Sequence, residues 1–272
     1  MVQGGGMTDL ARYADWTRWL GERARGDLDV RVVWVGGSAA TGGYDDWSDL
    51  DVDVLCTPGT SHRVYDDLVA ASGRDFAPSD VWELPLSTWP DGRQCFVNLQ
   101  ERPGLLAEPT RLIDLHVSDL SDEHRHVDVR RHGRPIVLHD PDALLVLRPD
   151  DADLQASELA LALEQVRQRR VTGEWLVMRA LRRGHVAEAL DLYLRFPLAG
   201  VVRLLRAEHC PWRHDYGLRY LAEDLGPSLA DRVHALIPGD LEACARACFA
   251  WLDELLQEPG SSSGPGPSAS TP

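Results

Sequence analysis

Hydrophobic and polar residues follow two different periods along this chain. Apolar residues recur at helical spacing over residues 8–25, which predicts an amphipathic helix with Thr8 as its N-cap. Strand-like patterns follow, separated by turns rich in Pro, Gly and Asp, with one helical stretch at about residues 61–71. The predicted strands are residues 31–35, 49–56, 81–89, 94–100, 111–117 and 135–138.

The pattern becomes helical at about residue 151 and stays helical to about residue 255. Residues 258–272 are almost entirely Ser, Pro, Gly and Ala, and such a segment cannot bury enough apolar surface to fold. We therefore predict an α+β protein with a strand-rich domain over residues 1–148. An all-helical domain over residues 149–257 and a disordered tail over residues 258–272 follow it.

Composition narrows the possible partners and location. The chain has 43 acidic and 28 basic residues, a net charge of −15, so we expect it to bind neither nucleic acid nor an anionic membrane. No apolar run approaches the roughly 20 residues of a membrane span, and no signal-peptide pattern begins the chain. The five cysteines lack metal-ligand spacing, which favours a reducing cytoplasm.

Every basic residue is an arginine, because the sequence contains no lysine. Enzymes that form a Schiff base, ligases that adenylate their own lysine and P-loop enzymes all need a lysine. These three classes are excluded.

Two acidic residues stand two positions apart where the second predicted strand begins. On a strand, Asp49 and Asp51 would point to the same face, with about 6.6 Å between them. Carboxylates placed in this way repel each other unless a cation lies between them. Mg²⁺ prefers one or two carboxylates together with phosphates and water, and paired ions of this kind serve phosphoryl-type transfer. The pattern therefore predicts a site for Mg²⁺ or Mn²⁺.

A glycine-rich turn directly follows the first predicted strand. Gly36 and Gly37 would let backbone N–H groups approach phosphate oxygens, and the Ser38 hydroxyl would donate a further hydrogen bond. The turn is not a P-loop, which needs Gly-Lys-Ser/Thr, and its spacing does not give the dinucleotide fingerprint. It predicts a binding site for a triphosphate.

Together the turn and the acidic pair resemble the nucleotidyltransferase superfamily typified by DNA polymerase β. Its signature is Gly-Ser, about ten residues, then Asp-apolar-Asp, and Gly37-Ser38 and Asp49-Leu50-Asp51 match it. Ser48 fits the Ser-Asp-apolar-Asp form of the small-molecule and antitoxin branches. The resemblance implies a mixed sheet with helices on one side and a nucleoside triphosphate donor, for which we expect ATP. It also implies that the triphosphate is bound by Gly36, Gly37, Ser38 and Ser48.

The resemblance further implies a third carboxylate on a neighbouring strand. Asp114 is our candidate, because it is the acidic residue inside an otherwise apolar strand at a suitable distance. It would bind the metal with Asp49 and Asp51 and could accept a proton from the acceptor. Glu83 is an alternative third carboxylate. Asp53 lies two positions after Asp51, so Asp51 and Asp53 are an alternative to Asp49 and Asp51 as the metal-binding pair.

Two polar groups of residues have more than one interpretation. His116 shares a predicted strand face with Asp114, where it either orients that carboxylate or forms a structural hydrogen bond. Residues 211–220 are dense in polar and aromatic side chains, which either line a site or pack between helices.

A sheet domain followed by a helical domain resembles bacterial antibiotic nucleotidyltransferases, including those that act on aminoglycosides. We therefore expect transfer of a nucleoside monophosphate to a hydroxyl of a small cationic molecule, such as an aminoglycoside-like antibiotic. The alternative is a protein-modifying enzyme of the antitoxin-like branch.

Overall fold

The computed structural model describes residues 10–102 and 109–240. The predicted cap Thr8 and the predicted tail lie outside these residues. The chain divides into two compact units, Met1–Ser157 and Glu158–Pro272. The predicted boundary between residues 148 and 149 falls just before a long helix, and the two units divide within the first turns of that helix.

The first unit combines helices and strands, and the second is helical over its described residues. In chain order the elements are α1 (Ala14–Gly26), β1 (Val30–Val35), α2 (Gly37–Thr41), β2 (Leu50–Cys56), α3 (Ser61–Phe76), β3 (Asp80–Glu83), β4 (Gly92–Asn98), β5 (Leu112–Asp119), β6 (His126–Val127), α4 (Val129–His132), β7 (Ile136–His139), β8 (Val146–Leu147), α5 (Ala152–Arg182), α6 (Val186–Tyr193), α7 (Ala199–His209), α8 (Leu221–Leu225) and α9 (Pro227–His234). This arrangement confirms the predicted α+β class.

Six strands form one sheet in the order β3-β4-β5-β2-β1-β7. The central pair β2 and β5 is parallel, whereas the other neighbouring pairs of this sheet are antiparallel. The predicted mixed sheet is therefore confirmed. A separate short parallel pair joins β6 and β8.

One predicted strand is shorter in the structure. Residues 81–89 read as a single strand, but β3 ends at Glu83, and Pro85 and Pro90 occupy the stretch before β4. Proline has no N–H for a ladder hydrogen bond, so the chain leaves the sheet there and returns at Gly92.

The two faces of the sheet differ because side chains alternate along each strand. Val52 and Val54 of β2 belong to a core that also contains Trp16 of α1 and Tyr65 of α3. The intervening residues Asp51 and Asp53 are only partly buried and point to the other face. The main helices thus cover one face of the sheet. The acidic side chains lie on the other face, where a smaller core cluster covers the part next to β1 and the strands β3, β4 and β5 carry no such cluster.

The second unit has a small core of its own, formed by apolar residues of α7, α8 and α9 with Leu198. Beside it, the fully buried Arg206 pairs with Asp224 at 2.6 Å, and Arg213 pairs with the same carboxylate at 2.7 Å. Arg206 also donates to the carbonyl of Gly217. The polar stretch at residues 211–220 is therefore tied to the helices by a buried arginine. Across the described ranges, no helix combines the length and apolar character needed to cross a membrane.

Candidate active site

The turn between β1 and α2 lies against the carboxylate of Asp51. The Gly36 N–H donates to the Asp51 backbone carbonyl at 2.9 Å, which couples the turn to β2. Gly37 has a φ of +54°, and a Cβ at this position would overlap the Asp51 carboxyl group. Glycine is required here by both backbone conformation and space. The predicted phosphate-binding turn and the predicted metal ligand are therefore neighbours.

Ser38 presents an unsatisfied hydroxyl in this turn. Its Oγ is buried and has no hydrogen-bond partner in the structure. A buried hydroxyl usually has a partner, since leaving one unpaired costs about 1–3 kcal/mol. The arrangement suits an oxygen atom supplied by a ligand.

Asp51 and Asp114 are direct partners on the parallel strands β2 and β5. Asp49 immediately precedes β2, on the same side as Asp51 by the alternation of side chains. Burial raises the pKa of Asp51 to about 7, and the charges of Asp49, Asp114 and Asp53 add to this shift. Burial also raises the pKa of Asp49 and that of Asp114. The three predicted metal ligands thus form one electrostatically coupled group.

Gln94 holds Asp114 in place. Its Nε2 donates to Asp114 Oδ1 at 2.6 Å, and its Oε1 accepts from Trp89 Nε1 at 2.9 Å. Sequence reasoning did not identify Gln94 or Trp89 as site residues. The pairing of Gln94 with His116 across β4 and β5 places it on the acidic face.

The alternative carboxylates have other partners. Glu83 accepts a hydrogen bond from Tyr65 Oη at 3.0 Å and pairs with Arg93. Its strand partner is the buried Cys95, so Glu83 belongs to the opposite face from Asp114. The structure does not bring Glu83 to the carboxylate group.

Asp53 and His116 form a pair next to the three carboxylates. His116 Nδ1 lies 3.1 Å from Asp53 Oδ1, and the His116 ring packs against Trp89 with 5.0 Å between ring centroids. The hydrogen bond of His116 is thus to Asp53, while Asp114 is oriented by Gln94.

The loop before Asp49 is held by Arg12, which lies just before α1. Arg12 donates to the carbonyls of Asp45 at 2.6 Å and Ser48 at 2.7 Å, and its guanidinium lies over the Tyr44 ring. The Ser48 hydroxyl accepts from the Asp45 N–H and donates to Asp45 Oδ1, both at 2.9 Å. The Ser48 side chain thus closes this turn, and its predicted contact with a nucleotide stays a prediction.

A short arginine-rich segment lies beside α2. The Arg134 N–H donates to the Ala40 carbonyl at 3.0 Å, and Gly133 packs directly on the same backbone. This contact brings α4, with Arg130 and Arg131, near the Gly37-Ser38 turn. The segment is therefore a neighbour of the glycine-rich turn.

The donor set was compared with what a divalent cation needs. Within residues 10–102 and 109–240, no three His, Cys, Asp or Glu side chains are already close enough together to hold a metal ion. The chemistry nevertheless fits, because Asp49, Asp51 and Asp114 supply the hard oxygen ligands that Mg²⁺ prefers. Burial and, after it, repulsion by the neighbouring carboxylates raise the pKa of Asp51, and a divalent cation would offset that repulsion.

Comparisons with protein-family models and with curated protein sequences gave no match for this chain. The case for a function therefore depends on the residues of the site itself.

Proposed function

We propose that this protein is a metal-dependent nucleotidyltransferase that transfers a nucleoside monophosphate from a nucleoside triphosphate to a hydroxyl of a small molecule. The observation that carries this proposal is the contact between the Gly37-Ser38 turn and Asp51, whose strand partner is Asp114. This contact supports the proposal because the glycine-rich turn, to which we assign the phosphates, lies beside the carboxylate group. These are the two features that transfer from a triphosphate requires.

Each part of the site has a role in this reaction. The backbone of Gly36 and Gly37 and the hydroxyl of Ser38 bind phosphate oxygens, while Asp49, Asp51 and Asp114 hold Mg²⁺ or Mn²⁺. When bound, the metal would neutralise the negative charge on the triphosphate and on the departing pyrophosphate. We propose ATP as the donor.

The transfer forms one bond and breaks one. The acceptor's hydroxyl oxygen bonds to the α-phosphorus, and the bond from that phosphorus to the oxygen bridging to the β-phosphorus breaks. The electron pair of the broken bond leaves with pyrophosphate. Asp114, held by Gln94 at 2.6 Å, takes the hydroxyl proton.

The proposed acceptor is a small, cationic, hydroxylated molecule. The net charge of −15, together with Asp51 and the three carboxylates around it, would attract a cation and repel a polyanion. An aminoglycoside-like antibiotic has this chemistry. A cytoplasmic location would give the enzyme both ATP and Mg²⁺.

The test uses the full chain with Mg²⁺ and ATP labelled on the α-phosphate. One reaction contains pooled amino sugars and aminoglycosides, and a second contains a cell-extract protein fraction. Mass spectrometry should detect a small-molecule product heavier by one nucleoside monophosphate, with pyrophosphate released. Label found on protein alone would replace this proposal with the protein-modifying alternative.

Variants distinguish a role in transfer from a role in folding. Asp49→Asn, Asp51→Asn and Asp114→Asn should each abolish transfer while the protein remains folded. Asp142→Asn is the matched control, since Asp142 is an exposed carboxylate paired with Arg31. Full turnover in the Asp49→Asn/Asp51→Asn double variant, or in excess chelator, would disprove the metal-dependent mechanism.

A further inference from the structure

A row of four side chains crosses the open face of the sheet from its centre to one edge. Asp51 pairs with Asp114, Asp114 with Phe96, and Phe96 with Trp82. Residues directly opposite one another on neighbouring strands point to the same face. The row therefore begins at the carboxylates and ends at an aromatic pair on β4 and β3.

The aromatic end of the row is open to solvent. Trp82 stacks on Phe96 with 5.2 Å between ring centroids and an interplanar angle of 15°. Trp82 is nevertheless 60% exposed, and Trp89, which contacts Gln94, is 41% exposed. Large aromatic rings usually bury most of their surface, so exposed rings beside a polar site mark a binding surface.

The charge of this face is one-sided. Its carboxylates Asp51, Asp53 and Asp114 lie on β2 and β5. Arg93 is the one arginine in the sequence of β2, β3, β4 and β5, all of which the structure describes. Arg93 points to the helix-covered side, where it pairs with Asp66 of α3. A cation is therefore attracted to the open face of these strands.

We infer that this row, from Asp114 to Trp82, is the acceptor subsite and that it binds a ring-shaped, polyhydroxylated amine. A sugar or cyclitol ring stacks on the exposed face of Trp82, its ammonium groups lie near the carboxylates, and its reacting hydroxyl lies at Asp114. This assignment rests on the proposed nucleotidyltransferase function.

The dimensions fit such a ligand. Two strand spacings of about 4.8 Å separate β3 from β5, so Trp82 and Asp114 lie about 10 Å apart along the row. Two linked six-membered rings fill such a span. Aromatic faces attract cations and the C–H groups of saturated rings, which matches an amino sugar better than a flat, neutral molecule.

The experiment measures binding of three probes to the full chain by calorimetry, with Mg²⁺ and a non-hydrolysable ATP analogue present. The probes are kanamycin A, its fully N-acetylated derivative, and glucose 6-phosphate. Kanamycin A should bind, whereas the uncharged derivative should bind more weakly and the anionic sugar should not bind. Binding of the ATP analogue is measured separately in every variant.

Trp82→Ala should weaken kanamycin A binding about tenfold or more, because the stacking surface is lost. Trp82→Phe should recover part of this loss. Trp175→Ala is the matched control, since Trp175 is 58% exposed and lies on α5 in the second unit. The control should bind kanamycin A and the ATP analogue as the unmodified protein does, and Trp82→Ala should retain the ATP analogue.

The outcomes separate this inference from the proposed function. Equal kanamycin A affinity in Trp82→Ala and the unmodified protein would overturn the acceptor subsite. The subsite would also be overturned if the unmodified protein failed to bind kanamycin A, or if it bound glucose 6-phosphate more tightly. None of these results affects the nucleotide half of the site. Failure of the unmodified protein to bind the ATP analogue with Mg²⁺ would instead reject the proposed function.

Discussion

Gly37 and Asp51 are in contact at the centre of the site, so that the turn after β1 and the carboxylate on β2 share one small volume. Any side chain at position 37 would occupy the space of the Asp51 carboxyl group. The two most recognisable parts of the sequence pattern are therefore one structural unit.

Replacing Gly37 with Ala tests this contact. The substitution places a Cβ at a positive φ, which costs about 1–2 kcal/mol, and it also displaces the Asp51 carboxylate. Gly42→Ala is the matched control, because Gly42 has a φ of +81° and no atoms within 4 Å of the added Cβ. Both variants should lose stability in denaturant titrations, but only Gly37→Ala should also lose Mn²⁺ and nucleotide binding. Equal binding by the two variants would contradict the contact.

Ser38→Ala should weaken nucleotide binding by about 1.5–3 kcal/mol, the value of one hydrogen bond to a charged group. Protein stability should change little, because Ser38 Oγ has no partner within the protein. Ser72→Ala is a suitable control, since Ser72 on α3 also has a buried hydroxyl without a partner. Calorimetry should show a change in nucleotide affinity for Ser38→Ala alone. Unchanged affinity would place the phosphates elsewhere.

The pH dependence of stability should report the burial of Asp51 and its closeness to other carboxylates. The pKa of Asp51 is raised from 3.8 to about 7 in the folded protein, so the folded state keeps a proton that the unfolded state releases. The free energy of unfolding should therefore decrease as pH rises from about 4 to about 7 in chelator. Asp51→Asn should reduce this slope and be more stable above pH 7 by on the order of 2 kcal/mol. An identical slope in the variant would show that the pKa of Asp51 is not raised in the folded protein.

The register of the acidic pair can be tested with two matching substitutions. Asp49→Asn should abolish Mn²⁺ binding, as followed by electron paramagnetic resonance. The side chain of Asp53 pairs with His116, so we expect Asp53 to lie next to the metal ligands without being one of them. Asp53→Asn should therefore reduce Mn²⁺ affinity by only about tenfold. The reverse result would assign the metal to Asp51 and Asp53.

Arg206 should be essential for the second unit. Replacing it with Met leaves the 6% exposed carboxylate of Asp224 without its closest partner, which we expect to cost about 3 kcal/mol. Arg195→Met breaks an exposed pair with Asp191 and should cost less than about 1 kcal/mol. Hydrogen exchange of the amides in residues 199–225 measures both effects. Equal protection in the two variants would show that the buried pair does not stabilise this unit.

The parts of the site that lie close together in sequence were predictable from the sequence. The spacing of Gly37 and Ser38 from Asp49 and Asp51 is encoded in one short segment, and strand alternation alone places the two carboxylates on one face. The choice of Asp114 depended on a resemblance, and strand pairing now places Asp114 opposite Asp51.

The remaining parts depend on strand register, which the sequence pattern does not determine. Glu83 and Trp82 are adjacent in sequence, yet one faces the helix-covered core and the other the open face. A register shift of one residue would exchange them. Gln94 was missed for the same reason, since its role follows from lying next to β5. The length of β3 was overestimated because the periodic pattern continued past Pro85.

The parallel pairing of β2 and β5 has a consequence for how the protein folds. The chain must pass through α3, β3 and β4 before β5 can dock beside β2, and contacts between distant residues form slowly because the intervening chain must first be ordered. The three carboxylates therefore meet only when the central sheet closes. A nascent or partly unfolded chain has no complete ligand set, so the divalent-cation binding that we propose would report completed folding of the first unit.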